Sequence, residues 1–125
     1  MRFLVVDDSS TMRRIIINTL NKIGYTDVAE ASNGKEGLAA LNAAKADIVI
    51  TDWNMPEMSG IDFTKAIRAR EQGSTIRVLM VTTNAAHTDI VEALNAGVDN
   101  YVAKPFTPQA LKEKIQALLE VAAAS

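Results

Sequence analysis

The chain carries five short apolar runs that are continuous rather than alternating, and this constrains its fold more than any other feature. The runs are RFLVVD (2–7), TDVAEA (26–31), DIVITD (47–52), IRVLMVTT (76–83) and NYVAK (100–104). A strand apolar on both faces needs cover on both faces, which is the situation of a parallel sheet sandwiched by helices. The intervening segments supply those helices. Met12, Ile15, Ile16, Leu20 and Ile23 recur at helical spacing after a Ser9/Ser10 cap, and Gly24 fits the stop. Asn33 caps a second helix through about Ala44, with Leu38 and Leu41 as its apolar positions. Phe63, Ala66, Ile67 and Arg70 pattern a third, and Ile90, Val91 and Leu94 a fourth near 86–96 that Gly97 stops. Thr107 and Pro108 open a fifth, carrying Leu111, Ile115, Leu118 and Leu119.

The order is strand then helix, five times over. Right-handed crossovers then give an α/β, doubly wound, five-stranded parallel sheet flanked by five helices. The expected strand order is 2-1-3-4-5, the flavodoxin-like arrangement. At 125 residues the chain is read as one domain, 1–125, without linker or repeat. It has no cysteine, which excludes disulfides, thiolate nucleophiles and zinc-thiolate sites. Its net charge of −2, with both signs dispersed, lacks the footprint of a nucleic-acid binder. No apolar stretch reaches the roughly 20 residues that span a bilayer, and no leader pattern precedes the first strand. The expectation is a cytoplasmic monomer.

In such sheets ligands bind beyond the C-terminal strand ends. Those ends here hold Asp7-Asp8, Asp52, Thr82-Thr83, Tyr101 and Lys104-Pro105. With the expected order, Asp7 and Asp52 sit on neighbouring strands roughly 4.8 Å apart. Three carboxylates so close repel one another unless a cation lies among them, and Mg²⁺ suits a site of few protein oxygens completed by water. Thr82 lies one strand from Asp52, within reach of a short hydroxyl. Lys104 lies two strands away, roughly 10 Å, a gap for a long cation. Each residue alone has a plainer reading: a helix cap for the acids, a turn for Asp52, a β-former for Thr82, a loop for Lys-Pro. Four coinciding at one sheet edge point to phosphoryl chemistry at a carboxylate. His87 reads as a solvated group at a helix start, Arg13 and Arg14 as a solvated helix face, and the methionines as core or loop filler.

DD after the first strand, DWNMPEMSG after the third, a Thr closing the fourth and KPF after the fifth together resemble the receiver domain of two-component response regulators. FLVVDDSSTMRRI and the combination of Tyr101 with Lys104-Pro105-Phe106 are similar to the single-domain chemotaxis members. The resemblance covers essentially the whole chain. It implies that Asp52 is the phosphoacceptor, and that Asp7, Asp8, Asp52 and the backbone carbonyl of Asn54 hold Mg²⁺. It implies that Lys104 contacts a phosphoryl oxygen, that Thr82 is the switch hydroxyl, and that Tyr101 is the aromatic whose rotamer reports the state, with Ala85 leaving it room. Asn54 and Asn84 would tune the lifetime of the phosphoryl group. Implied partners are a sensor histidine kinase (CheA-like), a flagellar motor switch protein and an aspartyl-phosphate phosphatase, with no nucleic acid and no membrane. The chain would be a phosphoacceptor with slow self-hydrolysis rather than an enzyme. Asn84 and the stretch AAHTD depart from the acid and lysines common in chemotaxis members, which bears on partners and lifetime. The alternative in the same fold is a receiver domain cut from a larger regulator with a DNA-binding output. An aspartyl-nucleophile phosphatase would want an acid where Asn54 stands, and a nucleotide binder a glycine-rich first loop where DDSSTM stands.

Overall fold

The computed structural model describes residues 1–55, 57–70, 75–83, 87–104 and 106–124, with the side chains of 87–89 and 120–124 outside the description. Strands and helices alternate through the chain: β1 (Phe3–Val6), α1 (Ser10–Lys22), β2 (Val28–Ala31), α2 (Gly34–Ala43), β3 (Ile48–Asp52), α3 (Gly60–Arg68), β4 (Arg77–Thr82), α4 (His87–Ala96), β5 (Asn100–Ala103) and α5 (Pro108–Ala124). All pairings are parallel and the strand order is β2-β1-β3-β4-β5, as the sequence predicts. β1 is buried at every position and β3 likewise, which is why their apolar runs do not alternate.

Alternation survives in a different form, because successive strand residues feed different layers. Leu4, Val6, Val49, Val78 and Met80 pack with Phe63 and Ile67 of α3 and Ala93 and Ala96 of α4. Phe3, Val5, Ile48, Ile50, Leu79 and Val81 pack with Ile16 and Leu20 of α1 and Leu111 and Ile115 of α5. The sheet therefore separates two cores.

Local chemistry sets the helix ends. Ser9 caps α1 by accepting from the Met12 amide at 3.2 Å, and Asn33 caps α2 by accepting from Glu36 at 2.9 Å. Gly24 and Gly97 follow α1 and α4 with φ of +100° and +109°, conformations in which a side chain is strained. Ser59 caps α3, and Gly60 is its first helical residue. Arg70, expected on the helical face, falls beyond the end of α3 at Arg68.

Three apolar assignments are corrected. Ile15, Val91 and Leu94 are 43%, 41% and 50% exposed. α4 meets the core instead through Ala93 and Ala96, whose small side chains allow close approach, leaving Val91 and Leu94 outside. Arg13 is also not a solvated residue, although Arg14 is exposed. The Arg13 guanidinium bonds the Asp7 carbonyl and pairs with Glu30.

Candidate functional site: an acid pocket bridged by a lysine

The site lies where β1, β3, β4 and β5 end. Val6 pairs with Thr51 and Asp52 with Val81, so the parallel register brings Asp7 and Asp52 out at the same edge. Asp7 is 1% exposed and Asp52 7%, whereas Asp8 is open to solvent. One carboxylate oxygen from each of the three lies within 4.8 Å of the others. Lys104 reaches across β4 to place its Nζ 3.0 Å from Asp52 Oδ1 and 3.6 Å from Asp7 Oδ2. The position of Lys104 is set from the backbone, since its amide donates to the Thr82 carbonyl at 2.7 Å.

Asp7 is the most constrained member. Its amide donates to the Ala31 carbonyl at 3.1 Å, and its Oδ1 accepts from the Ser9 amide at 2.8 Å. Its Oδ2 is buried and has no hydrogen-bond partner among the described residues. Burial pushes the Asp7 pKa above its ordinary value, and the Ser9 hydrogen bond opposes it. The charges of Asp52 and Asp8 push it further up, and Lys104 pulls it down. A buried carboxylate oxygen without a donor normally signals a missing partner. A hard divalent cation is such a partner. Three convergent carboxylates, one of them facing water, suit an ion that keeps part of its water shell.

The loop after β3 folds back on the end of that strand. Gly60 donates to the Trp53 carbonyl at 2.7 Å, and a Cβ at Gly60 would sit 2.3 Å from the Asp52 carbonyl oxygen. Only glycine allows the start of α3 to pass so close to the backbone carrying Asp52. Met58 packs against Gly34 of α2, and Glu57 holds the turn at φ 69°. Asn54 is exposed on this loop, and Trp53 is half-buried beside it.

Of the other expected site residues, Thr82 is 1% exposed at the end of β4. Tyr101 is half-buried, paired with Met80 in the sheet, and the Lys114 ammonium stands 5.1 Å from its ring centroid. Asn84, Ala85 and Pro105 lie outside the described residues. Two arrangements escaped the sequence reading. One is Arg13 on the Asp7 carbonyl at 2.6 Å. The other is Arg68, which bonds the carbonyls of Gly97 and Ile76 and the carboxylate of Asp99, while Asp99 accepts from the Val78 amide. Each joins residues on separate elements, so only the acid at the end of β2 and the Asp following Gly97 offered a signal.

Comparison with known proteins agrees with this geometry. Residues 3–116 match the model of the response regulator receiver domain. The chain is 53% identical over 120 residues to the chemotaxis protein CheY1 of Helicobacter pylori, covering 95% of this chain and 97% of that one. It is 52% identical to the chemotaxis protein CheY of Pseudomonas aeruginosa, covering 96% and 97%. Among solved structures, the chemotaxis response regulator CheY4 of Vibrio cholerae superposes with a TM-score of 0.89 at 36% identity, covering 94% of this chain and 97% of that one. The receiver domain of a Pseudomonas aeruginosa sensor histidine kinase, solved with a magnesium ion coordinated in its active site cleft, has a TM-score of 0.85 at 28% identity, covering 95% and 97%. A buried acid pocket bridged by a lysine, at the strand ends of a 2-1-3-4-5 sheet, thus occurs in a chain that belongs to the response regulator receiver domain family, alongside the chemotaxis CheY proteins.

Proposed function

We propose that the chain, as one domain, accepts a phosphoryl group on Asp52 from the phosphohistidine of a chemotaxis-type sensor kinase. The observation that carries this reading is Lys104 Nζ lying between buried Asp52 and buried Asp7, whose Oδ2 is left without a donor. Asp52 Oδ1 accepts from Lys104, which orients the carboxylate for attack by its other oxygen on phosphorus. A new P–O bond forms as the P–N bond breaks, and the electron pair returns to the leaving imidazole. Phosphoryl transfer asks for in-line geometry and charge neutralisation more than for a base. Lys104 provides one cation for the phosphoryl oxygens. Asp7, Asp8, Asp52 and the Asn54 carbonyl would hold Mg²⁺, which when bound supplies the remaining neutralisation. A structural relative of the same family holds magnesium in its active site cleft, which supports a magnesium site here, and the convergence of the Asp7, Asp8 and Asp52 carboxylates supports these acids as its ligands. Asn54 and Asn84, both uncharged, would orient water without deprotonating it, so that hydrolysis is slow.

The output surface is α4, β5 and α5. Val91 and Leu94 face outward on α4, and Tyr101 is half-buried beneath Lys114. Thr82 would hydrogen-bond the phosphoryl group and draw the loop after β4 inward, with Ala85 giving the Tyr101 ring room. One charge-assisted hydrogen bond is worth roughly 1.5–3 kcal/mol, enough to invert a two-state population. The partner on that face would be a helix of a flagellar motor switch protein, and an aspartyl-phosphate phosphatase would end the signal. The chain would act as a cytoplasmic monomer; no helix among the described residues is long and apolar enough to cross a membrane. The deciding experiment is intact mass after treatment with acetyl phosphate and Mg²⁺. One phosphoryl group should appear on the wild type and be absent from Asp52→Asn; equal labelling of the two would refute the assignment.

A further inference from the structure

Arg13 makes two contacts that do not belong to a solvated helix face. Its Nη1 donates to the Asp7 carbonyl at 2.6 Å, and its Nε donates to Glu30 Oε1 at 2.7 Å. Its side chain is 16% exposed. Glu30 sits on β2, Asp7 follows β1, and Arg13 is in the first turns of α1, so one guanidinium joins three elements. With the Ala31 carbonyl on its amide and the Ser9 amide on its Oδ1, Asp7 is then held at every polar atom except Oδ2. That remaining atom is the one aimed at the acid pocket, 3.6 Å from Lys104.

We infer that Arg13 is a positioning residue for the acid pocket. By clamping the Asp7 carbonyl it fixes the β1–α1 turn so that Asp7 and Asp8 converge on the cation, and Glu30 fixes Arg13 in turn. This rests on the reading of Asp7, Asp8 and Asp52 as the Mg²⁺ and phosphoryl site. The chemistry favours arginine because two donors on one planar group meet two acceptors on different elements, which a single ammonium cannot reproduce. Groups that orient a ligand residue from outside the coordination sphere matter nearly as much as the ligands, typically 10–100-fold in affinity. Mg²⁺ is sensitive to such placement, since it demands near-octahedral geometry.

The sign of the effect separates positioning from simple charge. Arg13 is a cation near an acidic pocket, so by long-range electrostatics its removal would tighten Mg²⁺ binding. A positioning role requires that removal weaken it. The experiment is a Mg²⁺ titration followed by Trp53 fluorescence on wild type, Arg13→Ala, Arg13→Lys and Arg14→Ala, with amide exchange at Ser9 measured in Mg²⁺-free buffer. Arg13→Ala is expected to raise the midpoint about tenfold and to speed exchange at Ser9. Arg13→Lys keeps the charge but gathers its donors on one nitrogen, and should fall between alanine and wild type. Arg14→Ala should match wild type. A midpoint in Arg13→Ala equal to or below that of wild type overturns the inference, and so does an equal weakening in Arg14→Ala. Should Arg13→Ala fail to fold, Arg13→Lys decides, and a wild-type midpoint there overturns it. If wild type itself shows no saturable change, the underlying reading of the pocket fails as well.

Discussion

Replacing Asp7 with asparagine should stabilise the fold while disabling its site. Asp7 is 1% exposed, and among the described residues its Oδ2 lacks a donor. Carboxylate oxygens 4.8 Å apart, the outer limit within the cluster, repel by about 3.5 kcal/mol at an effective dielectric constant near 20. Asp52 exerts that repulsion in full, and Asp8, facing water, only in part. Lys104 at 3.6 Å returns about 4.6 kcal/mol of attraction on the same scale, but it also serves Asp52. The pair interactions therefore nearly cancel, and the burial of an unsatisfied anion remains. Asparagine keeps the oxygen that accepts from Ser9 and offers the acids an N–H in place of a charge. The expected gain is about 1–2 kcal/mol at neutral pH in EDTA, or about 5 °C in Tm for a domain this size. Because burial raises the Asp7 pKa, the native state holds a proton that the unfolded chain has already lost. Wild-type stability attributable to Asp7 therefore falls as pH rises from the ordinary value of 3.8 through the raised one. The difference between variant and wild type should be absent at lower pH and grow to a plateau above that window. Mg²⁺ should shrink it by stabilising the wild type preferentially. Urea melts across pH, with and without Mg²⁺, measure all of this. An Asp7→Asn protein less stable than wild type at pH 7 in EDTA would refute the reasoning.

Three further outcomes are expected. Gly60→Ala must displace the backbone at Asp52, so its labelling rate by acetyl phosphate should drop about 10²-fold, and a wild-type rate would show that the loop yields elsewhere. Glu57→Gly relieves a left-handed residue at φ 69° and should gain about 0.5–1 kcal/mol in urea unfolding. Leu94→Asp alters a residue 50% exposed, so stability should stay within about 0.5 kcal/mol and labelling should persist, while binding of the phosphorylated protein to a motor switch peptide, measured by calorimetry, should be lost.

Continuous apolar runs made the parallel sheet legible, and the residues ending them made the acid pocket legible once the strand order 2-1-3-4-5, one of the two common doubly wound orders, was supposed. Lys104 could be assigned by length, since its strand lies two places from Asp52. What stayed hidden depends on packing between elements. Val91 and Leu94 fit a helical apolar face, yet α4 turns Ala93 and Ala96 inward, and spacing cannot say which of two apolar faces a helix will bury. Arg13 stayed hidden because its partners, Asp7 and Glu30, come together only once β1 and β2 pair. Arg68 and Asp99 are 31 positions apart and meet only across the end of α3. The strands also proved shorter at their edges than the apolar runs, since Asp47, Ile76 and Thr83 carry the pattern beyond the ladder.

The division of the interior by the sheet has a consequence for combined substitutions. Ile67 belongs to the layer under α3 and α4, and Ile16 to the layer under α1 and α5, with a full sheet of backbone between them. The sheet acts as a partition, so a void opened on one side cannot be refilled by a larger residue on the other. Ile16→Val and Ile67→Val should therefore lower stability additively, to within about 0.5 kcal/mol. Compensating pairs of substitutions in this protein should be found on strand positions of the same parity, such as Val78 with Met80, and not between neighbours such as Leu79 and Met80.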